Sequence, residues 1–131
     1  AFWYSGSSSS TERAFSRDML TKGDDVVLFG AFPQNVSLTT ITAMCNELKT
    51  LFSGSFGLFL PVWIAAGNTA GMASTQQMVD AAMVGKATGA KYLAGWGWKD
   101  YNSPMRWDTI GTNATIYARV KAAIAQIRSQ W

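Results

Sequence analysis

The sequence predicts an α/β domain in which four short strands alternate with helices and lie parallel in one sheet. Three observations predict it. Apolar or β-branched stretches recur at residues 1–4, 26–29, 56–66 and 91–98, and each is followed by a segment with helix-start signals or apolar residues at helical spacing. The third stretch is apolar on both faces, the pattern of a parallel strand buried between two layers. Glycine, serine and threonine stand at the junctions, where helices are capped and stopped.

The elements follow in order. Residues 1–4, AFWY, make a short aromatic strand, and a Ser/Gly loop then leads to Thr11 and Glu12. A Ser/Thr cap with an acid in the first turn predicts a helix to about Lys22, ended by Gly23. Val26, Val27, Leu28 and Phe29 form the second strand, which stops before Pro33. Ser37 caps the next helix, whose apolar side carries Leu38, Ile41, Met44, Cys45, Leu48, Leu51 and Phe52 before Gly54. Residues 56–66 form the third strand. Met72, Met78, Val79, Ala82, Met83 and Val84 mark the helix after it, which stops at Gly85 or Gly89. The fourth strand is the start of KYLAGWGWKDY, residues 91–101. A long loop over residues 102–111 leads to a last helix, capped near Thr112, with Ile116, Val120, Ala123, Ile124 and Ile127 on its buried face.

Length and composition narrow the function. The 131 residues suit one domain over 1–131, and 48% apolar with only 15% charged residues leaves so little polar surface that a partner surface is expected. The chain opens on Ala1 without a signal-peptide pattern and reads as a processed or partial piece of something longer. Net charge is +3, but Lys and Arg are scattered with no basic run to track a phosphate backbone, so no nucleic-acid partner is expected. No window approaches the roughly 18 apolar residues of a membrane span. The chain has one cysteine and no histidine, which excludes an internal disulfide, His- or multi-Cys zinc sites, and Ser-His-Asp or Cys-His nucleophiles supplied by this chain alone. No metal and no cofactor are expected.

In parallel α/β sheets ligands bind beyond the carboxyl ends of the strands. Residues 5–10, 32–35, 65–71 and 96–108 therefore share one rim. Helix, Gly-Ala turn and a strand finishing in tryptophan, ATGAKYLAGWGW, resemble the end of glycosidase-type (β/α)8 barrels over roughly residues 24–110. The resemblance implies four consecutive βα units forming the C-terminal half of a TIM-type barrel, with carbohydrate binding or glycoside hydrolysis as its function. Many retaining barrels carry a Glu at the end of strand seven, whereas FGLFLPVWIAAG has no carboxylate. Chitinase-type barrels gather their acids on strand four and keep a tryptophan on strand eight, which would put the main acids outside this chain. A rival resemblance starts from FWYSGSSSSTE, similar to the phosphate loop of flavodoxins, and implies a small open doubly wound sheet that binds FMN and carries electrons.

The barrel resemblance makes Trp63, Trp96 and Trp98 the aromatic platform for a sugar ring, joined by Lys99 and Tyr101 and, in the same loop, Trp107. Gln34, Asn35 and Asn68 are rim amides that can donate to and accept from sugar hydroxyls, although turns also favour them. Asp100 is the one acid directly at a strand end and the candidate catalytic carboxylate; Asp108 follows in the same loop, and a glycosidic pair needs carboxyls about 5 to 9 Å apart. A surface turn before Asn102 explains Asp100 equally simply. Half a barrel leaves two open strand edges, so a second chain or self-association is expected to close them. The setting expected is extracellular, or a virion or cell surface, where a non-catalytic structural or adhesive role is the other alternative. Asn35-Val36-Ser37 and Asn113-Ala114-Thr115 are sequons, and Cys45 is expected in the core.

Overall fold

The computed structural model describes residues 2–4, 26–30, 36–51, 54–61, 64–65, 72–96, 107–108 and 113–131. They form an α/β fold around a parallel sheet. Strands β1 (Phe2–Tyr4), β2 (Val26–Gly30), β3 (Ser55–Pro61) and β5 (Tyr92–Trp96) lie side by side in that order, all parallel. Leu28 stands opposite Trp3 and Gly57, and Leu58 opposite Leu93, so the carboxyl ends fall along one edge. Among the described strands the order contains no reversal.

Three helices are described: α1 (Leu38–Leu51), α2 (Thr75–Ala87) and α3 (Ala114–Gln130). Each begins where a side chain satisfies free backbone N–H groups. The Ser37 hydroxyl accepts from Thr40 N at 3.1 Å. Ser74 and Gln77 form a reciprocal capping box, Gln77 N donating to Ser74 Oγ at 3.1 Å and Ser74 N to Gln77 Oε1 at 2.8 Å. Asn113 Oδ1 accepts from Thr115 N and Ile116 N. The cap of the last helix is therefore Asn113, one residue beyond the Thr112 expected. The helix expected over residues 11–22 lies outside the described residues.

Period and packing agree closely in the helical layer. Ile41, Cys45 and Leu48 are buried at the i, i+4, i+7 positions of α1, and Phe56, Leu58 and Leu60 are buried at alternate positions of β3. Helix α2 packs on β3 with α1 on one side and α3 on the other, which buries Met78, Val79, Ala81 and Ala82. From α3 come Ile116, Val120, Ala123 and Ile127. Two expected core residues are not core: Leu38 is 40% exposed and Ile124 43%. Leu38 lies in the first turn of α1, and Ile124 is rotated about 70° from the centre of the buried row of α3.

Gly85 is an interior residue of α2, and the helix continues to Ala87. A Cβ at position 85 would overlap the Leu58 side chain, so the glycine lets the helix approach β3 closely. Gly89, with φ +99°, then turns the chain in the left-handed region. Thr88 Oγ1 donates to Val84 O and Gly85 O, Ala90 N to Gly85 O, and Lys91 N to Phe56 O, carrying the chain into β5 beside β3.

The expected third strand over residues 56–66 is a correction. It ends at Pro61, and Ile64–Ala65 (β4) belong to a second sheet, antiparallel to Trp107–Asp108 (β6). Proline cannot donate to a ladder, so the strand stops there although its apolar character continues. Residues 107–108, expected within a long loop, are strand for the same pairing.

Candidate functional site

The site begins at the carboxyl ends of β3 and β5, where Pro61 and Trp96 are register partners. Further along the chain, Ile64 pairs with Asp108 and Ala65 with Trp107. Antiparallel partners have Cα atoms about 4.5 to 5.5 Å apart. Two residues separate Pro61 from Ile64, so the small ribbon starts within about 11 Å of the β3 end. The ribbon joins the segment after β3 to the segment after β5 on the side where parallel sheets bind ligands.

Of the residues expected to form the platform, Trp96 is placed, as the last residue of β5. Trp63, Trp98, Lys99, Asp100 and Tyr101 lie outside the described residues, as do Gln34, Asn35 and Asn68. In sequence each of these follows the carboxyl end of a described strand: Gln34 and Asn35 after Gly30, Trp63 and Asn68 after Pro61, the rest after Trp96. The ribbon adds Trp107 and Asp108 to this edge as backbone partners of the residues just past Trp63. Two-residue strands carry no periodicity, so nothing in the sequence announces that pairing.

Away from the rim, Cys45 lies in the core of the helical layer. Burial pushes the Cys45 thiol above its ordinary range, and a hydrogen bond with Thr88 acts the other way. A buried thiol of raised pKa is a poor nucleophile, and Cys45 is a core residue as expected. Asn113, the first residue of a sequon, is engaged as the α3 cap. Among the described residues no group of three His, Cys, Asp or Glu side chains could hold a metal ion. No helix among them is long and apolar enough to cross a membrane.

The described residues define an α/β protein whose parallel strands follow one another in sequence order, with a two-residue antiparallel ribbon that includes Trp107 and Asp108. No family model matches the chain, and neither the curated proteins nor the solved structures yield a match.

Proposed function

We propose that this chain binds carbohydrate at the carboxyl edge of its sheet, as four βα units of a glycosidase-type barrel whose main catalytic acids lie outside these residues. The observation that carries the proposal is Trp96 at the end of β5, directly before Gly97, Trp98, Lys99, Asp100 and Tyr101. An aromatic face offers a flat apolar surface for the C–H face of a sugar, and neighbouring polar groups take its hydroxyls. The sequential parallel order of β1, β2, β3 and β5 supports the barrel reading, since consecutive βα units of a barrel pair in that order. Trp63, Gln34, Asn35 and Asn68 complete the binding edge in this proposal, and Asp100 is the acid nearest the bond to be cleaved. The glycan is met outside the cell or at a virion or cell surface, and a second chain or self-association closes the strand edges.

Titration of the chain with chitin, β-glucan and peptidoglycan oligosaccharides tests this. Saturable heat with one of them is expected, reduced about tenfold by Trp98→Ala, the size of one lost stacking contact. Failure of all three to bind, or binding indifferent to Trp98→Ala, overturns it. Hydrolysis that persists in Asp100→Asn would remove Asp100 from the chemistry and leave sugar binding standing.

A further inference from the structure

Helix α3 carries a second row of side chains, exposed beside its buried row. Its buried row is Ile116, Val120, Ala123 and Ile127, and its flank toward α2 is marked by Thr75 Oγ1 donating to Arg119 O and Lys86 Nζ donating to Gln130 O. At 100° per residue, Tyr117, Lys121, Ile124, Arg128 and Trp131 fall on one line about 90° from the buried row, on the flank away from α2. Tyr117, Ile124 and Trp131 are 47%, 43% and 38% exposed and stand seven residues apart. Single exposed apolar side chains are ordinary. Tyr117 and Ile124 lie in the helix and Trp131 is its C-cap, so the three form one row at a single heptad position, a narrow seam along which a second helix can lie.

The charges identify the occupant. Arg119, Lys121 and Arg128 are the charged residues of α3, which holds no Asp or Glu. Lys121 and Arg128 lie within the seam, Lys121 with its ammonium 5.9 Å from the Tyr117 ring centroid. A second copy packing seam against seam in antiparallel fashion would bring Lys121 toward Arg128 of its twin, a like-charge contact that opposes association. A helix with apolar residues at heptad spacing and carboxylates beside them meets both the seam and its cations. β5 is the last strand of the described sheet, and the described residues supply no helix beyond α3 to cover this flank.

We propose that the outer flank of α3 is the docking seam for an acidic amphipathic helix of another protein. Nothing in this depends on what the rim binds. The test uses the full chain and two synthetic three-heptad peptides with leucine on the seam, one flanked by glutamate and one by lysine, with anisotropy of the labelled peptide as readout. The glutamate peptide is expected to bind saturably, to weaken as salt is raised, and to lose about tenfold or more in affinity with Ile124→Glu. The lysine peptide should bind at least about tenfold more weakly. Equal binding of the two peptides, or no binding of either, overturns the proposal. So does a self-association in sedimentation that Ile124→Glu abolishes, which would give the seam to a second copy. Recruitment to phosphatidylserine vesicles that the glutamate peptide fails to compete would give it to a membrane surface. The oligosaccharide titration run on Ile124→Glu should be unchanged, which separates failure here from failure of the sugar proposal.

Discussion

The helical layer behind β3 and the rim beyond its carboxyl end are built from neighbouring residues under different rules. Behind the strand, Phe56, Leu58 and Leu60 are buried, and α2 comes close to Leu58 because Gly85 has no Cβ to overlap it. Period, caps and burial all point to one arrangement there. Beyond Pro61 the apolar run continues in Ile64 and Ala65, yet those residues leave the sheet and pair with Trp107 and Asp108. The contrast teaches that apolar character alone does not extend a strand: a backbone partner must be available, and Pro61 withdraws a donor where the parallel ladder would go on.

Substitutions can break or sharpen this contrast. Leu58→Ala should act on the layer alone, costing about 2 to 5 kcal/mol by chemical denaturation through lost burial and a cavity against α2, with oligosaccharide affinity of the folded fraction unchanged. Gly85→Val should cost about 1 to 3 kcal/mol by overpacking the same contact. The pair is coupled: in a Leu58→Ala background the space for a Cβ opens, and Gly85→Ala should then stabilise by up to about 1 kcal/mol, the helix-propensity gain of alanine over glycine. Additive single effects would refute the close approach. Asn113→Ala should lower stability by about 1 kcal/mol through loss of the α3 cap.

The smallest effect is alkaline. With the Cys45 pKa raised in the folded state, its contribution to stability is fully present below the unfolded thiol pKa of about 8.5 and is lost as pH rises through the folded value. Native protein should resist thiol reagents at neutral pH and label on unfolding. Cys45→Ala should lose the high-pH part of the stability decline, read by denaturation across pH.

Much of the layer was legible in the residues themselves. Ser37 as a cap and the Ile41, Cys45, Leu48 row follow from local chemistry and a 3.6-residue period, both short-range properties. Ile124 is not legible as exposed, because an apolar residue at a plausible helical spacing can serve an outer face as well as a core, and only the packing of the helix tells the two apart. The sequence offers Gly85 and Gly89 equally as the helix stop, because glycine commonly ends helices, and only the approach to Leu58 shows that Gly85 is interior. At the rim, Trp96 was legible as a strand end, whereas the ribbon that brings Trp107 and Asp108 to the segment after β3 was not.

The sequence by itself determined the alternation of strands and helices, their caps, and the residues that bury them, because each depends on dihedral preference and periodicity within a few positions. The tertiary structure decided the order of the strands, the separation of Ile64–Ala65 from the sheet of Ser55–Pro61, and which face of α3 is buried. Those are pairings between residues far apart in the chain, and their free energy exists only once both partners are in place.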